Sequence, residues 1–201
     1  MQQEKSHWRK YLSLSNIISA LLLVLIIGMI VNPEWKAGFI KGLMKVGLYQ
    51  PDIPEEVRQE DLSRHLQVSF KDYRGMSLSL EELKGRVVFL NFWATWCPPC
   101  IAEMESIDQL YRQYKNDPSV IFLMVDVDGD MARSQEFMNK RGYELKAWAP
   151  AGAIPEELFG GSLPTTIILD RTGAKVMEHI GPADYASSKM QDFIKKLVAM
   201  P

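Results

Sequence analysis

A buried strand that runs straight into a cysteine pair restricts most of what this chain can become. Residues Arg86 to Trp93 read RVVFLNFW, too continuously apolar and β-branched for a half-exposed strand and suited to a central strand covered on both faces. The next residues are ATWCPPC, and beyond them Met104, Ile107, Leu110, Tyr111 and Tyr114 recur every three or four positions, which predicts an amphipathic helix. A Cys-x-x-Cys pair on the first turn of such a helix brings its sulfurs within disulfide reach without distorting the backbone. Cys97 then stands at the helix N-terminus, where unpaired amides and the helix dipole stabilise a thiolate. Only a thiolate attacks a disulfide sulfur, so Cys97 is the expected nucleophile and the more shielded Cys100 its resolving partner. Pro98 and Pro99 suit a first helical turn and remove amides that would otherwise tune Cys97.

These are the only two cysteines in the chain. A disulfide-stapled scaffold carries more, and a four-ligand zinc site needs two further Cys or His, whereas His7, His65 and His179 are remote in sequence. Asp126, Asp128 and Asp130 superficially resemble a calcium loop, but Met131 stands where glycine is needed and Phe137 where glutamate is needed. No metal and no cofactor is expected. Taken alone, Cys-x-x-Cys also describes a static bridge or half a metal site; the strand before it and the helix after it favour a redox pair. The net charge of −2 offers no basic face for nucleic acid.

The remaining pattern supplies the other parts of an α/β domain. Val120 to Val127 reads as a second buried strand, followed by the turn DVDGD, a short helix around Met131 to Arg141 and an apolar patch at Leu145 to Ala149. Thr165–Leu169 and Ala174–Ile180 form a hairpin across Asp170-Arg171-Thr172-Gly173, and a last helix carries Met190, Phe193, Ile194 and Leu197 on one face. Strand and helix alternating before a hairpin predict a mixed central sheet flanked by helices. Trp148, Leu158 and Phe159, in the insertion after Asp130, are candidates for a substrate-facing surface, with core packing the expectation for at least two of them.

The first fifty residues are of a different kind. LSLSNIISALLLVLIIGMIV, Leu12 to Val31, has no charge and at about 1.5 Å per residue spans a bilayer core of about 30 Å. Trp8, Tyr11 and Trp35 flank it as interfacial aromatics. It exceeds a signal-peptide core, and Val31-Asn32-Pro33-Glu34 offers no small-x-small cleavage site, so an uncleaved anchor is favoured over a cleaved leader. Lys5, Arg9 and Lys10 favour a cytoplasmic N-terminus, although Lys36, Lys41 and Lys45 follow the span closely. Glu34 to Tyr49 places Trp35, Phe39, Leu43 and Met44 at helical spacing, as an interfacial or a plain juxtamembrane helix. Pro51, Pro54 and EEVRQED then read as a linker. The expected division is a tail over 1–11, a transmembrane anchor over 12–32, a juxtamembrane segment and linker over 33–60, and one domain over 61–201.

The run NFWATWCPPC at 91–100, the Glu103-Met104 that follows, Leu163-Pro164-Thr165-Thr166 before ILD, and the lead-in GMSLSLEELKGRVVFLNFWA resemble the thioredoxin superfamily. Within it they are similar to the TlpA/ResA-like group of anchored thiol–disulfide oxidoreductases, over roughly residues 68–200. The resemblance implies a thioredoxin-like fold behind a single transmembrane helix and a redox-active Cys97–Cys100 disulfide. It makes Pro164 the family's cis-proline, which with Leu163, Pro98, Pro99 and Trp96 shapes the groove where substrate backbone docks. The plainer readings are a trans loop proline and a partly buried packing aromatic. Thioredoxin carries a buried aspartate where this chain has Asn91, which cannot accept a proton; the group's glutamate after the second cysteine, here Glu103, then stands as proton acceptor for Cys100. A glutamate in a first helical turn is also commonly just favourable electrostatics.

The function expected is reduction of disulfides in extracytoplasmic proteins by a domain on the periplasmic side, supplied with electrons by a membrane protein. Cytochrome c maturation is one role known in the group. A dithiol oxidase of the same fold is an alternative, as is a non-catalytic anchored binding module with a static disulfide. A thiol peroxidase is disfavoured because no lone cysteine precedes the pair.

Overall fold

The computed structural model describes residues 14–200. Two helices, α1 (Leu14–Val31) and α2 (Pro33–Lys45), precede the strands β1 (Ser69–Asp72), β2 (Ser77–Ser79) and β3 (Val87–Trp93). Then follow α3 (Pro98–Tyr114), β4 (Val120–Asp126), α4 (Met131–Lys140), β5 (Ala147–Pro150), β6 (Thr165–Leu169), β7 (Lys175–Ile180) and α5 (Ser188–Ala199). The strands make one sheet in the order β2-β1-β5-β4-β3-β6-β7. β3, β4 and β5 run parallel and the other pairings are antiparallel, so the expected mixed sheet is present.

β3 is buried along its whole length, and its alternation sorts the two faces of the core. Val87, Phe89 and Trp93 join the cluster that holds residues of α3, α4 and α5. Val88, Leu90 and Phe92 join the opposite cluster, closed by Leu62, Leu66, Leu80, Leu83, Trp148 and Leu158. The crossovers β3–α3–β4 and β4–α4–β5 step the same way across the sheet, so right-handed connections place both helices on one face. α5 covers the same face with Met190, Phe193, Ile194 and Leu197, the four residues its periodicity picks out.

Strands β1 and β2 are additions to the sequence reading. SFKD and SLS are too short to show a period, and they pair as a two-stranded extension whose Phe70 is fully buried. The apolar patch at Leu145 to Ala149 supplies β5. Trp148 and Leu158 are buried, and Phe159 stacks on Phe92 at 4.6 Å between ring centres, so core packing accounts for this trio.

The segment read as juxtamembrane helix and linker is seated on the domain. Ala37 and Met44 of α2 are buried in the cluster that contains α3. Lys41 pairs with Glu105 of α3, and Glu34 pairs with Arg141 beyond α4. Gln59 Nε2 donates to Asp170 Oδ2 at 2.5 Å, and Glu60 exchanges backbone hydrogen bonds with Lys175 at 2.8 and 3.0 Å. Pro51, Pro54 and the charge of EEVRQED suggest a linker, yet its backbone is tied to the edge strand β7.

Among the described residues no single helix is long and apolar enough to cross a membrane. Ser15–Val31 and Pro33–Lys45 pass that test together, as a pair bent by 109°. The first two residues of the expected span, 12 and 13, lie outside the described residues, as do Lys5, Trp8, Arg9, Lys10 and Tyr11.

Candidate active site

The strand–motif–helix junction takes the form its sequence dictates. β3 ends at Trp93, and Cys97 is the N-cap of α3, with extended backbone at φ −90° and ψ 104°. Its Sγ accepts a hydrogen bond from the Cys100 amide at 3.3 Å, and its carbonyl accepts from Ile101 at 3.0 Å. Pro98 and Pro99 open the helix, where the missing N–H groups have no intrahelical partner to lose. Cys97 and Cys100 are joined by a disulfide with S–S 2.07 Å and Cα–Cα 5.3 Å. Cys97 is 3% exposed and Cys100 fully buried, so an approaching thiol meets Cys97 first.

Trp96 lies beside the pair with 52% of its surface exposed, and its indole Nε1 donates to Asp128 Oδ2 at 2.6 Å. It is therefore an exposed aromatic braced from the DVDGD turn rather than a packing residue. Asp128 escapes a sequence reading because 32 residues separate it from Trp96.

The Leu163–Pro164 peptide is cis and Pro164 is buried. Phe92 of β3 pairs with Thr165, which sets Pro164 next in line beside Trp93, at the strand end from which the cysteine motif departs. Leu163 is half-buried and packs against the cluster that includes both cysteines. The six residues Trp96, Cys97, Pro98, Pro99, Leu163 and Pro164 thus gather at one end of β3.

Glu103, one turn past Cys100, is entirely buried. Its Oε1 accepts from Asn91 Nδ2 at 2.9 Å, and its Oε2 accepts from the Ala183 amide at 3.2 Å. The same Asn91 nitrogen donates to Thr166 Oγ1 at 2.9 Å. Ser106 closes the ring, donating to the carbonyls of Glu103 and Ala183 and accepting from the Tyr185 amide. Burial pushes the Glu103 carboxyl up to about 8, against the opposing pull of the Asn91 and Ala183 donors. Its titration is thereby moved from the ordinary carboxylate range toward neutrality. The alternation of β3 puts Asn91 between Phe89 and Trp93, on the face that α3 covers, which is how its amide reaches Glu103.

A cysteine pair with one more accessible sulfur, at a helix N-terminus and backed by a buried carboxyl raised toward neutrality, can take up two electrons and a proton as the disulfide and give them out again as the dithiol. Among the described residues no cluster of three or more His, Cys, Asp or Glu is placed to hold a metal.

The chain is also similar to known proteins. The family model described as Redoxin matches residues 63–199. The thiol-disulfide oxidoreductase ResA of Bacillus thuringiensis (strain Al Hakam) is 33% identical over 127 residues, covering 63% of this chain and 72% of that protein. The thioredoxin-like protein YneN of Bacillus subtilis (strain 168) is 30% identical over 154 residues, covering 74% and 90%. For the fold alone, a thiol:disulfide interchange protein of the thioredoxin family from Chlorobium tepidum TLS superposes with a TM-score of 0.55 at 23% identity, covering 72% of this chain and 99% of its own. A secreted Mycobacterium tuberculosis disulfide oxidoreductase does so with 0.53 at 22% identity, covering 68% and 98%. The chain belongs to the Redoxin family of the thioredoxin superfamily and is a ResA-like thiol–disulfide oxidoreductase.

Proposed function

We propose that this enzyme is anchored in the cell membrane by residues 12–32 and reduces disulfides of extracytoplasmic proteins through Cys97 and Cys100. The observation that carries the reading is the Glu103 carboxyl, fully buried one turn behind the disulfide and raised by that burial to a pKa of about 8. The Cys97 thiolate attacks one sulfur of a substrate disulfide, releasing one substrate thiolate and forming a mixed disulfide. Cys100 then gives its proton to the Glu103 carboxylate and attacks Cys97 Sγ. That step releases the second substrate thiolate and closes the Cys97–Cys100 bond, so two electrons pass from enzyme to substrate. The disulfide form is the product of this sequence, and an acid with a pKa of about 8 holds in it the proton that Cys100 gave up. A membrane electron donor returns the dithiol by the reverse exchange, with Glu103 reprotonating Cys100 as it leaves.

Substrate backbone docks beside Pro164 and Leu163, with Trp96 and the rings of Pro98 and Pro99 forming the rim of the groove. The apolar character of α1, its exposed side chains and the absence of charge in it support the anchor.

The test is the equilibrium reduction potential of the full chain in detergent, read by tryptophan fluorescence in a dithiothreitol or glutathione buffer. A potential near −270 mV, as for thioredoxin, fits a reductant fed by a donor. A value near −120 mV would make it a dithiol oxidase, and a disulfide that does not exchange would make it a static bridge.

A further inference from the structure

We propose that α2 is a surface-lying membrane helix, with its Trp35–Phe39 face in the bilayer interface and its Ala37–Met44 face carrying the enzyme domain. The inference rests on the anchor proposed above and adds a second, separate membrane contact. The two faces follow from the helix period. At about 100° per residue, Phe39 lies about 40° from Trp35, while Ala37 and Met44 lie about 160–200° from it. Burial agrees with that division: Ala37 and Met44 are 4% exposed, whereas Trp35 and Phe39 are 51% and 53% exposed.

The charges divide the same way. Glu34 and Lys41 turn to the domain, where they pair with Arg141 and Glu105. Lys36 and Lys45 remain, both exposed and neither paired with an acid among the described residues. They flank the Trp35–Phe39 face, one about 100° to one side and the other about 80° to the other. An apolar face bordered by two lysines matches a lipid interface, where aromatic rings sit at headgroup depth and ammonium groups reach the phosphates.

The elbow between α1 and α2 fixes which face meets the bilayer. Asn32 caps α2, its Oδ1 accepting from the Glu34 amide at 2.9 Å, and Pro33 opens the helix, so the chain stops α1 and restarts at a new angle. The bend is 109°. With α1 at an ordinary tilt of about 20°, that bend lays α2 parallel to the membrane plane. The face of α2 turned toward α1 is then the face turned toward lipid. Trp35 marks it, because its ring lies against Gly28 of α1 so closely that no Cβ would fit there. The opposite face meets α3, the helix that begins with the two cysteines, beside Ala102 and Glu105. The redox helix is thereby held at a set height and orientation over the membrane.

The experiment uses the full chain with Cys97→Ser and Cys100→Ser, one chain per nanodisc of phosphatidylcholine and phosphatidylglycerol. A nitroxide is placed in turn at Leu22→Cys, Phe39→Cys and Glu56→Cys, and its collisions with oxygen and with a water-soluble nickel chelate are compared. The expected result is oxygen-dominated relaxation at Leu22 and Phe39, shallower at Phe39, and nickel-dominated relaxation at Glu56. A Phe39 label as open to nickel as Glu56, with Leu22 in lipid, overturns the surface helix and leaves the anchor standing. A Leu22 label in water overturns both. A Phe39 label shielded from both reagents means that protein covers the face, which also overturns the proposal.

Discussion

Two carboxyls near the ends of the central parallel strands are almost equally buried, yet they are held in different ways. Glu103 is fully buried and Asp126 is 1% exposed; each accepts two hydrogen bonds, and burial pushes both upward. The partners of Asp126 are local: the Asp128 amide two residues on and the Ser134 hydroxyl eight residues on, so it braces the turn into α4. The partners of Glu103 lie 12 and 80 residues away, on β3 and on the loop before α5. Asp126 thus belongs to one turn, whereas Glu103 exists in its present environment only when sheet, redox helix and C-terminal loop are assembled. The difference teaches that depth alone does not make a carboxyl useful for proton transfer; its place behind the thiol pair does.

The largest effect expected is on stability against pH. Folded Glu103 keeps its proton up to about pH 8, while an unperturbed glutamate releases it near 4.5. Between those values the folded state binds more protons than the unfolded one, so stability falls as pH rises, at up to about 1.4 kcal/mol per unit. Urea unfolding of the oxidised enzyme at pH 5 and pH 8 will show that fall, and Glu103→Gln will flatten it. An undiminished slope in Glu103→Gln would give the effect to Asp126 or to other groups and erase the contrast.

Next in size is a kinetic separation. Glu103→Gln keeps the shape of the side chain but cannot take the Cys100 proton, and resolution of the mixed disulfide slows by about 10²-fold. Asp126→Asn leaves that rate unchanged. Stopped-flow fluorescence with a peptide disulfide distinguishes them, and equal losses in both variants would mean that the two carboxyls act alike.

Asp126→Ala reverses the emphasis. It strands the Ser134 hydroxyl and the Asp128 amide, costing about 1–3 kcal/mol of folding stability by denaturant titration, with exchange chemistry retained. A variant as stable as the parent would show that Asp126 braces nothing. The smallest effect is a tuning one. Asn91→Leu removes a donor that favours the ionised Glu103, so the upper limb of the pH–stability profile moves up by about one unit. A downward move would mean that Asn91 does not hold the carboxylate form.

Much of the domain could be read from the chain, because the relevant signals are periodic and local. The β3 run, the helix after the cysteines, the hairpin around Asp170-Arg171-Thr172-Gly173 and the apolar face of α5 all declare themselves within about a dozen residues. β1 and β2 were illegible because three or four residues cannot display alternation. Burial of Glu103 was illegible for another reason. A glutamate on the first turns of a helix is ordinarily solvated, and the amide that receives it here is 80 residues away. The Trp96–Asp128 bond and the seating of α2 on α3 are likewise contacts between remote segments.

By itself, then, the sequence determined the redox pair, its place at a helix N-terminus and the run of strands and helices around it. These depend on spacing, on proline at the first helical turn and on hydrophobic period, all properties of short stretches of chain. Tertiary structure alone decided that burial raises the Glu103 carboxyl far above its ordinary range and that the lead-in helix rides on the redox helix. Both are matters of which surfaces meet and exclude water, and a one-dimensional pattern does not say which distant residues will do so.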